Sequence, residues 1–341
     1  MGISDSLFIK ACYGRNDGVI PLWIMRQAGR FLPEYRAVRE KATFVEMCRS
    51  PELIAEVVRQ PIARFGFDAA ILFSDILTML TPMGLPFEFP EGGPRVSNPI
   101  RTPEDVDRLV DVNAEKDLDF VLEGIREIKK ILPDTPLIGF AGSPFTLACY
   151  MIEGMGSKSF DKPRRFLHEF PEAGDRLISF LADNVGRYLK AQIAAGAETV
   201  QLFDSWGGML SREAYRRWSA SPAQRIFETA KTEGVPRIFF VNNVTPYLDL
   251  VSDIDCEVVG VDFRADLAHC AASLPGKSVQ GNLDPSVLFG TREQVVTQTK
   301  RILNSLDDHS RLIFNLGHGI QPQTPLQSVE AVVETVHSYR G

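Results

Sequence analysis

An α/β fold, a single-domain (β/α)8 barrel, is predicted by three observations. Eight short apolar runs recur along the chain, each stopping at a polar or glycine-containing turn. The runs are apolar throughout rather than alternating, as expected of parallel strands covered on both faces. Helical patterns separate most of them, and strands alternating with helices close into a barrel whose active site lies at the C-terminal strand ends.

The first run, "PLWIM", ends at Arg26, and the second, "AAILF", ends at Ser74-Asp75. Between them "SPELIAEVVRQPIARFG" has helical spacing. The 341 residues exceed the ~250 usual for such a barrel, and the surplus fits an insertion between "FSDIL" and the third run, "PLIGF". Within it "FEFPEGGPRVS" reads as a hairpin with a Gly-Gly turn. After "PLIGF" comes "AGSPFT", then a long helical pattern, "EAGDRLISFLADNVGRYLKAQIAAG", which ends at Gly196 as helices often do. The remaining runs are "TVQLF" before Asp204-Ser205, "RIFFV" before Asn242-Asn243, "VVGV" before "DFR", "SVQG" before "NLDP", and "RLIFN" before "LGHG". With no linker composition and no internal repeat, one domain over residues 1–341 is expected. A doubly wound sheet would want a glycine-rich phosphate turn after an early strand. The one candidate, "GMGSKS" at Gly154–Ser159, follows a helical pattern and lacks the P-loop spacing, so it reads as a loop.

A net charge of −7 and a pI near 5.4 argue against nucleic acid as a partner. No apolar stretch approaches the ~18 residues of a membrane span, and there is no signal-peptide core. "MGISDS" satisfies the short myristoylation pattern, which is too brief to be specific. The five cysteines are scattered, without a CxxC pair, and read as reduced thiols of a cytoplasmic protein.

Against that acidic background, "IMRQAGRFLPEYR" concentrates Arg26, Arg30 and Arg36, with Arg39 close behind. Guanidinium stays charged at any working pH and grips carboxylate or phosphate bidentately. Two arginines flanking "QAG" straight after a strand point to an anionic ligand rather than to pairing with Glu34 or Glu40. Asp75 ends the second strand and fits either a helix cap or a site residue. Asp204 and Ser205 raise the same choice, with Asp204 the more cap-like. His318, between two glycines in a strand-end loop, reads as functional. The five histidines and five cysteines form no metal set, and there is no GxSxG nucleophile elbow.

These residues sit in stretches that resemble the uroporphyrinogen decarboxylase family. "PLWIMRQAGRFLPEYR" and "GFAGSPFTLACYMIEG" match its two signatures, and "FSDIL", "LFDSWGG", "QGNLDP" and "NLGHGI" follow in order, so the likeness spans nearly the whole chain. One departure is Phe263 in "VDFR", where tryptophan is expected, a packing change. The resemblance implies a cofactor-free, metal-free homodimeric barrel acting in tetrapyrrole synthesis. It would remove the carboxyl groups of four acetate side chains from uroporphyrinogen III, through partly decarboxylated intermediates, to give coproporphyrinogen III. By matching motif, Arg26, Gln27, Ala28, Gly29 and Arg30 line the site and Arg39 contributes to it. Asp75 is the central acid, and Tyr150, Ser205 and His318 contact carboxylates or the macrocycle. Asp75 would stabilise a protonated pyrrole, with Arg26 or His318 delivering the proton through water. A zinc-dependent corrinoid or thiol methyltransferase of the same superfamily would carry ligands where "VNNV" and "LGHG" stand. A non-catalytic tetrapyrrole carrier would have no need for Asp75.

Overall fold

The structure, a computed structural model, describes residues 3–90 and 93–340. Seven strands form one parallel sheet: β1 (Ala70–Ile71), β4 (Leu137–Gly142), β5 (Thr199–Asp204), β6 (Arg237–Val241), β7 (Val258–Val261), β8 (Ser278–Leu283) and β9 (Leu312–Leu316), side by side in that order. Every residue in them is buried, as the unbroken apolar runs require when helices cover one face and packed side chains the other. The short β2 (Phe87–Glu88) and β3 (Arg95–Val96) pair antiparallel between β1 and β4 in sequence. Glu91 and Gly92 of the expected Gly-Gly turn lie outside the described residues, as do Met1 and Gly2 of the N-terminal pattern.

The helix Pro51–Phe65 stops at Gly66, whose φ of 67° is left-handed, and the 25-residue helix Pro171–Ala195 stops at Gly196 with φ 122°. At both ends the glycine takes a conformation that a side chain would strain. "GMGSKS" is a loop without helix or strand.

The first apolar run departs from expectation. Pro21–Met25 is not a ladder strand; it makes a single parallel bridge, Leu22 to Phe314. Phe314 N–H donates to the Pro21 carbonyl at 2.8 Å, and Trp23 N–H reaches the Phe314 carbonyl at 3.4 Å. Side chains then replace the ladder. Asn315 Oδ1 accepts from Met25 N–H at 3.0 Å, and on the other flank Asp68 Oδ2 accepts from Leu22 N–H at 2.8 Å while Asp68 N–H returns to the Leu22 carbonyl at 2.9 Å. The segment therefore lies between β9 and the approach to β1. Beneath it, Trp23 Nε1 donates to Gln280 at 2.8 Å and Gln280 to Gln201 at 3.1 Å, a buried polar chain linking the segment to β8 and β5. The helix Leu326–Ser338 is tied to the same place: His337 Nε2 lies 3.0 Å from Asp68 Oδ2. All five cysteines are buried free thiols, and no helix among the described residues is long and apolar enough to cross a membrane.

Candidate active site

Beyond Met25 the chain turns at Arg26, which takes a left-handed φ of 67°. The turn is closed by Gln27 N–H donating to the Ile24 carbonyl at 2.9 Å. The Gln27 side chain is buried and engaged within the fold: its oxygen accepts from Ile24 N–H at 3.0 Å and its nitrogen donates to the Ala69 carbonyl at 3.1 Å. Arg36 Nη1 donates to the carbonyls of Arg30 and Phe31 at 2.9 and 3.1 Å, fixing the loop on which Ala28 and Gly29 are half-buried. Arg39 Nη1 bonds the Ala42 carbonyl.

Glu34, one of the two carboxylates that pairing within the protein would have used, is taken by Arg64. Among the described residues no carboxylate lies within ion-pair distance of Arg26 or Arg30, and neither guanidinium donates a hydrogen bond. Both are exposed.

Asp75 follows β1 in a half-buried position. No α-helix begins there, because residues 76–84 run in turns, so the helix-cap alternative is removed. Asp75 Oδ1 accepts one local bond, from Leu77 N–H at 2.8 Å. Burial pushes its carboxyl up to about 6, against the Leu77 bond and the nearby Arg26 charge, which favour the ionised form. Burial first, with the Asp75 charge adding to it, also raises the Tyr150 phenol. His318 is pushed the other way, down to about 4, by burial first and then by the charges of Arg26 and Arg264, with Asp262 opposing them. Its imidazole is thus neutral near pH 7. Arg26 therefore acts on Asp75, Tyr150 and His318 alike, and Asp75 acts on Tyr150. Arg39 and Asp75 both act on the buried Cys48 thiol, which puts Arg39 at the edge of the group. Arg30 is felt at Tyr35, on its own side of the loop.

Asp204 and Ser205 separate cleanly. Asp204 is fully buried and accepts from Ser143 Oγ at 2.6 Å, Thr146 Oγ1 at 3.1 Å, Gly207 N–H at 3.1 Å and Ser219 Oγ. It joins the end of β5 to the helix Pro144–Glu153, which carries Tyr150, and a Cβ at Gly207 would lie 1.9 Å from its Oδ2. Ser205 is half-buried next to Trp206, whose ring packs 4.7 Å from Phe160, itself 5.6 Å from Tyr150.

A cavity of about 280 Å³ is lined by Arg26, Phe263, Asp284, Pro285, His318 and Gly319. A Cβ at Gly319 would come within 2.4 Å of Arg26 Cδ, so glycine there lets the arginine lie along the loop. Phe263, Asp284 and Gly319 were not singled out from sequence as lining residues, although "VDFR", "NLDP" and "NLGHGI" are the strand-end pieces that supply them. A second cavity, about 330 Å³, lies between the helix Asp161–Glu169 and Met209–Trp218 and contains none of the candidate residues. No three His, Cys, Asp or Glu side chains gather as a metal set among the described residues.

Comparison with known proteins bears on this arrangement. A family model described as "Uroporphyrinogen decarboxylase (URO-D)" matches residues 4–339. A protein named uroporphyrinogen decarboxylase from Carboxydothermus hydrogenoformans is 45% identical over 336 residues, covering 98% of this chain and 96% of its own. Another so named, from Syntrophotalea carbinolica, is 45% identical over 335 residues, covering 98% and 97%. Among solved structures, a methyltransferase from Methanosarcina mazei superposes with a TM-score of 0.81 at 19% identity, covering 98% of each chain, a likeness of fold alone. The full-length match and the level of identity leave one assignment: the chain belongs to the uroporphyrinogen decarboxylase family.

Proposed function

We propose that this protein is a carboxy-lyase of tetrapyrrole synthesis that converts uroporphyrinogen III to coproporphyrinogen III by removing carboxyl groups from four acetate arms. One observation carries the mechanism: of two exposed loop guanidiniums, Arg26 and Arg30, that have no carboxylate partner among the described residues, Arg26 acts on the half-buried carboxyl of Asp75. The octacarboxylate substrate calls for positive charge that this acidic chain supplies locally, at Arg26 and Arg30, with Arg39 behind them.

The chemistry needs an electron sink, because an acetate cannot lose CO2 as a bare carbanion. A proton added to the pyrrole α-carbon makes a cationic ring. The bond to the carboxylate then breaks, CO2 leaves, and its electron pair enters the ring system. Protonation of the resulting methylene and loss of the α-proton give the methyl product, so one proton is consumed per CO2 released. Ionised Asp75 stabilises the ring cation and accepts from the pyrrole N–H groups. Neutral His318, Tyr150 and Ser205 bind and orient the macrocycle or its arms, and Gln27 holds the loop that bears Ala28, Gly29 and the arginines.

The same reading takes the curled sheet, with Pro21–Met25 beside β9 and β1, as an eight-membered (β/α)8 barrel in one domain, with the β2–β3 pair in an insertion. It takes the protein as a cytoplasmic homodimer that needs no cofactor. The methyltransferase alternative is disfavoured by "VNNV" and "LGHG" at its ligand positions.

Anaerobic turnover of uroporphyrinogen, with products sorted by carboxyl count, tests the proposal. Asp75→Asn keeps a hydrogen-bond acceptor but loses the charge, so kcat should fall by about 100-fold or more while binding weakens modestly. Asp75→Glu should retain more activity. A fully active Asn variant refutes the cation-stabilising role, and a wild type that binds tetrapyrrole without releasing CO2 is a carrier.

A further inference from the structure

Arg264 follows β7 and is the one strand-end arginine outside the opening loop whose charge acts on His318. Its backbone N–H and its Nη1 both reach Asp262 Oδ1, at 3.1 and 3.3 Å, and Nη1 also donates to Asn242 Oδ1 at 2.9 Å. The guanidinium carbon lies 4.6 Å from the centre of the Phe263 ring. The side chain is nonetheless 53% exposed. Only Nη1 is engaged, so the edge formed by Nε and Nη2 has no partner among the described residues. That edge presents two parallel N–H groups at the spacing of a carboxylate. The aromatic platform and the Asn242 bond hold it in place, so little side-chain freedom remains to be lost on binding.

Phe263 lines the cavity that also holds Arg26 and His318. Through Phe263 the Arg264 guanidinium stands at the wall of that cavity, and its charge and that of Arg26 both act on the His318 imidazole. Asp284 shares this cavity with one oxygen taken by Ser286 N–H, and Asp262 has its second oxygen on Val244 N–H. With both carboxylates nearby, a bare anion gains little, whereas a carboxylate matched to the free edge gains two directed bonds.

Resting on the decarboxylase reading, we propose that Arg264 anchors a substrate carboxylate that the reaction leaves in place. Arg264 rests on Phe263, which lines a cavity whose wall does not include Asp75, so Arg264 meets an arm away from the one at Asp75. Phe263 is then more than a packing change, because it is the platform on which this anchor rests. Arg264 grips every species from substrate to product alike, and so acts on affinity rather than on the chemical step.

The test compares Arg264→Gln and Arg264→Lys with wild type at low and high salt. It reads anaerobic coproporphyrinogen III binding together with kcat and KM for uroporphyrinogen III. In the Gln variant the coproporphyrinogen Kd and the uroporphyrinogen KM should both rise about five- to tenfold, with kcat within about twofold. The loss should shrink as salt rises, and Lys should recover part of it. Unchanged constants in Arg264→Gln overturn the proposal. So does a fall in kcat at constant KM, or equal losses in Gln and Lys variants that track a lowered Tm. A rise in KM for uroporphyrinogen without weaker coproporphyrinogen binding means that Arg264 holds a departing acetate, and overturns it too. Failure of wild type to turn over refutes the decarboxylase reading, while the binding comparison still decides whether Arg264 is a carboxylate anchor.

Discussion

Asp75 holds its proton more tightly folded than unfolded, because burial outweighs the Leu77 bond and Arg26. Below the ordinary aspartate value of about 4 the carboxyl is protonated in both states and folding bears no cost. As pH rises the cost grows, and it is fully present above about 6, where the folded carboxyl ionises. The ionised form is the one the proposed chemistry uses. Wild-type kcat/KM should therefore climb through an acid limb near pH 6, a limb absent from the residual activity of Asp75→Asn. Thermal midpoints should show the opposite ranking: Asp75→Asn more stable than wild type at pH 8, with the gap closing toward pH 4. A wild type as stable as the variant at pH 8 would mean that the carboxyl is solvated rather than buried. His318 has the reverse sense. Its lowered value favours the neutral ring above about 6.5, and that contribution is lost as pH falls toward about 4.

Among the elements, β5 and the helix Pro144–Glu153 are joined by one carboxylate. Asp204→Ala would leave the hydroxyls of Ser143, Thr146 and Ser219 and the Gly207 N–H without their acceptor in a fully buried place. A loss of about 3–5 kcal/mol is expected in urea unfolding, with Ser205→Ala nearly silent in the same measurement. A loss under about 1 kcal/mol for Asp204→Ala would place this network outside what holds Tyr150. Such elements were largely legible, because a strand buried on both faces must be apolar throughout and a helix that ends in a left-handed turn favours glycine. Pro21–Met25 was legible as apolar but not in its pairing. Its partners are the side chains of Asp68 and Asn315, far off in sequence, and no periodicity announces a side chain standing in for a ladder. The gathering of Asp75 and His318 about Arg26 was legible because strand ends meet at one face of such a sheet, whereas Tyr150 comes from the helix Pro144–Glu153. The burial of the Gln27 amide was not, since an amide in a motif looks the same whether it faces a ligand or the backbone. The shared Asp204 bonds were equally hidden, because their donors come from separate elements.

For the whole molecule, the contact between His337, Asp68 and Leu22 joins the helix Leu326–Ser338 to the first apolar segment. The bond to Asp68 raises the His337 value above that of a free imidazole. Its stabilisation is therefore complete below about pH 6.5 and fades as pH rises through the higher folded value. His337 is partly exposed, so solvent screens the pair, and His337→Gln should cost no more than about 1 kcal/mol at pH 6 and almost nothing at pH 8.5. Denaturant melts at the two pH values check this, and an equal loss at both would assign the effect to packing.

The seam at Leu22 also imposes an order in time. A protein is made from its N-terminus, so the segment that carries Arg26 and Arg30 into place leaves the ribosome before every strand of the sheet. Groups that hold it, at Phe314, Asn315 and His337, follow only after β8. Until they arrive, the opening arm has nothing on one flank to dock against. A nascent chain can build its middle strands while its arginines stay unplaced, so the proposed tetrapyrrole site is complete only once β9 and the helix Leu326–Ser338 have been made.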